Sequence, residues 1–130
     1  MRHRTLARAC AAALLLAAAS ACNSSTGIDI EGLPDSISSC ETNTATLCTT
    51  WNKTKPGRYE AQWTQGSVAV ITVDKFSSDS VVFIRNDPSG TTAGMHAVYR
   101  GVPIGAGVPN GTVTWTYGGQ TYSGAWQANW

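Results

Sequence analysis

Towards its C-terminus the chain alternates. Val113, Trp115 and Tyr117 fall on one side of an extended strand, and Thr112, Thr114 and Thr116 fall on the other. After Gly118-Gly119 the pattern resumes, with Tyr122, Gly124, Trp126, Ala128 and Trp130 opposing Thr121, Ser123, Ala125, Gln127 and Asn129. A strand sends successive side chains to opposite faces. Two such runs joined by a Gly-Gly pair therefore predict an antiparallel hairpin with one apolar and one polar face.

The same texture extends upstream. All five Trp, four Tyr and two Phe lie from Trp51 onward, in segments rich in Val, Ile and Thr, the residues that suit a pleated surface. Turn signals recur between them: Lys55-Pro56-Gly57-Arg58, Gln65-Gly66, 77–80, 86–90, 105–111 and Gly118-Gly119. They bound strands expected near 47–53, 58–65, 67–76, 80–86, 94–104, 111–117 and 120–130. No amphipathic helix is visible in this stretch. The fold class is all-β: one small antiparallel meander of about seven or eight strands. A closed barrel is favoured over a sandwich, because closure removes the exposed edges that such a meander otherwise presents.

The other end of the chain reads as an address. Arg2, Arg4 and Arg8 precede an apolar run over 9–19, and Ala19-Ser20-Ala21 closes it with small residues. Basic start, short apolar stretch and small-residue end are the anatomy of a secretory signal. The run is shorter than the ~20 apolar residues a membrane helix needs. A buried N-terminal helix is the other reading; the position of the arginines and the lack of a polar stripe speak against it. Small residues ending at Cys22 resemble the lipobox of bacterial lipoproteins, in which the cysteine thiol takes a diacylglycerol and becomes the new N-terminus. Ala19 stands where that family usually has Leu. The resemblance implies a signal at 1–21, an acylated Cys22 and attachment to a membrane of the cell envelope through lipid. A soluble secreted or periplasmic protein is the alternative. The Ser-, Thr- and Asn-rich segment that follows is read as a flexible tether over 22–45, ahead of a β domain over 46–130.

Charge and cysteine usage fit export. Loss of Arg2, Arg4 and Arg8 leaves six of nine basic side chains against eight acids. That weakly acidic remainder, with no basic stripe, is a poor surface for nucleic acid. Cys10 leaves with the signal and Cys22 takes lipid. Cys40 and Cys48 remain as an even pair, expected to be disulfide-bonded in an oxidising compartment and contributing about 2.5 kcal/mol by chain entropy. A zinc site lacks ligands, since only His96 accompanies the two cysteines. No metal and no cofactor is expected.

The segment from Gly111 to Trp130 also resembles the last hairpin of small Trp-rich β-barrels such as the calycins. The likeness covers only that hairpin and implies a barrel, with no ligand or site residue carried over.

No catalytic set stands out. His96 lies among Met95, Ala97 and Tyr99 with no Gly-x-Ser-x-Gly turn elsewhere to present a nucleophile, and a half-buried or surface strand histidine is the plainer reading. Glu60 and Asp74 lie on separate strands and could face one another as a glycosidase pair does. Asp79 and Asp87 sit where turns favour Asp, and Glu41 falls in the tether. The aromatic load is the strongest feature. Trp63, Trp115, Tyr117, Tyr122 and Trp126 either build the core of a small domain or line a pocket for a small apolar ligand or a glycan. The expected function is thus a non-enzymatic binding module of the cell envelope, for a small ligand, a glycan or an envelope partner. Alternatives are a hydrolase inhibitor acting through the Gly- and Pro-rich loop over 101–111, and a small secreted enzyme using His96.

Overall fold

The computed structural model describes residues 32–62 and 66–130. Eight strands are present: β1 (Ser36–Thr42), β2 (Thr46–Lys55), β3 (Arg58–Gln62), β4 (Val68–Phe76), β5 (Val81–Ser89), β6 (His96–Gly101), β7 (Gly107–Tyr117) and β8 (Gln120–Asn129). Each pairs antiparallel with its neighbour in sequence, and β1 pairs with β8, so the meander closes into a barrel. Among the described residues no edge strand is left to template aggregation. The final hairpin turns through Gly118 and Gly119, both at positive φ (59° and 77°). That backbone region is open to glycine and strained for other residues, and it matches the right-handed twist of the flanking strands.

β1 corrects the expected boundary of the domain. The segment assigned to the tether up to residue 45 instead supplies the strand that closes the barrel, running Ile37↔Trp51 against β2 and Glu41↔Trp126 against β8. Before it, Leu33 is already buried, and its carbonyl accepts a hydrogen bond from Lys53 Nζ at 3.2 Å. The strand escapes a periodicity reading because its inward face is Ile37, Ser39 and Glu41, with one large apolar residue. At Ser39 the side chain is small where an indole leans in from the neighbouring strand: Trp126 Nε1 donates to Ser39 Oγ at 3.0 Å. The Cys40–Cys48 disulfide joins a directly opposed pair on β1 and β2, on the outer face opposite Ser39 and Glu41. The expected signal, Cys22 and the first part of the tether lie outside the described residues.

The barrel interior is filled at one end. Trp51, Tyr59, Phe83, Tyr99 and Trp126 are fully buried together with Ile37, Ile71, Val81, Val108 and Val113. Trp51 and Trp126 stack at 6.1 Å, and Phe83 and Tyr99 meet Trp51 edge-on at 5.5 and 4.9 Å. Each such ring pair adds about 0.5–1.5 kcal/mol to the burial of its area. Phe76 against Trp130 closes the base at 5.4 Å. This is the end that carries the β2–β3, β4–β5 and β6–β7 connections.

Trp51→Ala is expected to cost about 3–5 kcal/mol in denaturant unfolding, as large core truncations do. Tyr122→Ala, at a ring 44% exposed, is expected to cost less than about 1 kcal/mol. Equal losses would contradict this division of the rings.

Candidate functional site

At the opposite end, where the β1–β2, β5–β6 and β7–β8 connections lie, a cavity opens in the barrel. This cavity of about 470 Å³ descends from the rim, with Glu41, Arg85 and Trp115 among its lining residues and Leu47, Met95, Tyr117 and Tyr122 around its upper part. That volume falls in the range of small-molecule sites.

The cup exists because the inward residues change character along the strands. On β5 the inward series is Val81, Phe83, Arg85, Asp87: two apolar side chains, then two charged ones. On β6 the small Ala97 is opposed by Arg85 on one side and Trp115 on the other, which leaves room between them. On β8 the residue beneath the Trp115 ring is Gly124. A Cβ there would come within 2.7 Å of the indole and 2.4 Å of the Thr42 carbonyl oxygen, so a glycine is what lets that ring lie against the wall.

The floor is an ionic network. Glu41, Arg85 and Asp87 are only 5%, 3% and 3% exposed, and charges so buried persist only when paired and hydrogen-bonded. Arg85 Nε and Nη2 donate to the two Asp87 oxygens at 2.7 Å each, a bidentate fork. Arg85 Nη1 faces Glu41 Oε1 at 3.5 Å and the Tyr99 hydroxyl at 3.4 Å. Tyr99 donates its hydroxyl proton to Glu41 Oε1, and Trp115 Nε1 donates to Glu41 Oε2 at 2.9 Å. Thr92 Oγ1 donates to Asp87 Oδ2 at 2.5 Å, and Gly94 N to the Asp87 carbonyl at 2.8 Å, so the β5–β6 loop is fastened to the same aspartate. The Tyr117 hydroxyl donates to the Thr91 carbonyl at 3.2 Å and ties the rim to that loop.

Burial opposes the charge on Arg85, but the hydrogen bonds to Asp87, helped by Tyr99, hold its pKa above the ordinary guanidinium value. Burial, reinforced by the Glu41 charge, pushes the Tyr99 hydroxyl well above the usual phenol range, with Arg85 opposing. At physiological pH the floor therefore holds a protonated arginine and a neutral tyrosine.

The residues expected at a ligand site are divided by this geometry. Trp115, Tyr117 and Tyr122 line the cup together. Trp126 does not: it is fully buried in the aromatic core, packed on Trp51, Phe83 and Tyr99. Alternation places it on the inner face but cannot say how far down the barrel it points. Trp63 lies outside the described residues. Two acids are corrected. Asp87 is an inward strand residue, not a turn residue, and Glu41 is in the barrel wall, not the tether. Glu60 pairs with Arg58 at 3.2 Å and is half-exposed, while Asp74 is exposed beside a strand irregularity. His96 points outward, its Nδ1 against Asn86 Oδ1 at 2.9 Å. Of the suspected inhibitory loop, Gly101 and 107–111 belong to strands. Val102 and Ile104 protrude at the closed end, 59% and 70% exposed.

Glu41, Arg85 and Asp87 were the functional candidates hidden in the sequence. The one signal for two of them is the period-two series Val81, Phe83, Arg85, Asp87, which continues an apolar face into charge.

The buried tyrosines give the fold an alkaline limit. Burial, with the Asp35 charge adding to it, pushes Tyr59 up to about 12 from the ordinary 10.0, and Tyr99 is also raised. The folded protein keeps protons that the unfolded chain loses. The corresponding stability is intact below pH 10 and is lost as pH rises through the folded values. The urea midpoint is expected to fall from pH 10 upward, and more gently in Tyr59→Phe. A midpoint unchanged up to about pH 12 would contradict this. No protein family, curated protein or solved structure matches the chain.

Proposed function

We propose that this chain is an exported cell-envelope protein, anchored by lipid at Cys22, whose barrel is a non-enzymatic module that binds a small ligand in its open cup. The observation that carries the reading is the cup itself. The chain fills one end of its barrel with stacked rings and leaves the other open, lined by Trp115, Tyr117 and Tyr122 over a buried polar floor. A few fixed polar groups beneath an aromatic wall are the usual make-up of a ligand pocket. The only histidine past the signal-like segment faces away from the cup, and the acids of the floor are engaged, Asp87 by Arg85 and Glu41 by Tyr99 and Trp115. These features favour binding over catalysis.

The address rests on the basic, apolar and small-residue order that ends at Cys22. The Cys40–Cys48 disulfide adds support, because such bonds persist in oxidising compartments. The barrel would then stand off the membrane on the residues between Cys22 and Leu33, with the cup free to meet a small apolar ligand or a glycan.

Mass spectrometry of the protein purified from its own membranes tests both halves. Denatured, the chain is expected at the mass for cleavage before Cys22, plus diacylglycerol and acyl additions, less the hydrogens lost to the disulfide. In the native state it is expected to carry extra mass that denaturation releases and that Trp115→Ala lacks. An unmodified chain would remove the lipid anchor. Native and denatured masses that agree would remove the small ligand in favour of a protein partner.

A further inference from the structure

Among the described residues, the charges beneath the cup do not balance. Two carboxylates, Glu41 and Asp87, share one guanidinium. Asp87 takes both arms of the Arg85 fork at 2.7 Å, while Glu41 is left with a single 3.5 Å approach from Nη1, too long for a strong charged hydrogen bond. The remaining donors to Glu41, Tyr99 and Trp115, are neutral and satisfy its oxygens without cancelling its charge. The other described side chains around the cavity, among them Asn43, Thr91, Met95, Tyr117 and Tyr122, carry no charge. The carboxylate that lines the cavity is thus the less compensated of the two, in a setting of low dielectric where one excess charge acts strongly.

Three electron-rich rings, Trp115, Tyr117 and Tyr122, line the same cavity, and Leu47 and Met95 lend apolar surface to it. Aromatic rings attract cations through their quadrupole, most strongly where water is excluded. Resting on the reading of the cup as a ligand site, we infer that its ligand is a small organic cation: an ammonium group seated over Glu41, carried by an apolar body held between Trp115, Tyr117 and Tyr122. A carboxylate ligand would meet Glu41 with the Arg85 fork already committed to Asp87. A neutral ligand would gain only the rings.

Three probes of matched size decide the matter by isothermal titration of the full chain: phenethylammonium, phenethyl alcohol and phenylacetate. The ammonium is expected to bind about tenfold or more tighter than the alcohol, with phenylacetate the weakest and the preference shrinking as salt is added. Glu41→Gln is expected to bring ammonium and alcohol to within about twofold of each other, whereas Tyr122→Ala weakens both together. Circular dichroism checks the fold of Glu41→Gln. If that variant does not fold, the order of the three probes on the unaltered chain decides alone. Equal affinities, a tighter phenylacetate, or a preference that survives in folded Glu41→Gln would overturn the cation while leaving the cup as a binding site. Binding of none of the three would overturn both.

Discussion

A guanidinium inside a barrel must find its counter-charges on the strands around it, because removing an ion from water costs several kcal/mol that only close partners offset. Arg85 finds two, Asp87 and Glu41, with the neutral Tyr99 hydroxyl beside them. Asp87 comes from its own strand, Glu41 from β1 across the barrel and Tyr99 from β6. The β5–β6 loop is tied in through Thr92. Trp115 of β7 joins through Glu41. Once the network is made, β1 is committed to its place between β2 and β8, and the seam where the barrel closes is fixed by charge as well as by backbone pairing. Loss of Arg85 would leave both carboxylates buried without their guanidinium, a kind of change that typically costs about 3–5 kcal/mol.

The network also divides the interior. Below it, rings interlock from Tyr99 down to Trp130, and the space is used up. Above it, side chains such as Tyr117 and Tyr122 are partly exposed. A polar layer of this kind cannot be covered by more apolar core without stranding its remaining hydrogen-bonding capacity, so an open cup above it is the physically consistent outcome. Ala97 and Gly124 are the small residues that keep the cup from being filled by its own wall. The same division separates the roles of two tryptophans from one hairpin: Trp126 builds the core and Trp115 lines the site.

Much of the fold was legible in the chain because alternation and turn residues report directly on strand faces and strand ends. The C-terminal hairpin and its Gly-Gly turn follow from residues such as Val113, Trp115 and Tyr122, and the closed all-β class follows from the meander's need to cover its edges. β1 was not legible, since its inward face is a serine and a glutamate beside one isoleucine, chosen to fit under neighbouring indoles. Depth was not legible either. Period two places Trp115 and Trp126 on the same inner surface, and only the stagger of the strands decides that one lies at the mouth and the other in the core. The site was half legible for the same reason. Its rings were visible as an aromatic excess, but Glu41 and Asp87 resemble tether and turn residues until the strands that carry them are placed side by side.

One end of this barrel is packed and the other is open above the Arg85 network, a division that shows directly in the broadening of aromatic proton signals by a soluble paramagnetic agent in nuclear magnetic resonance. Trp115, Tyr117 and Tyr122 are expected to broaden, while Trp51, Tyr59, Phe83 and Trp126 stay sharp. Protection of Trp115 and Tyr122 to the level of Trp126, or broadening of Trp51 and Trp126 alongside them, would contradict the account.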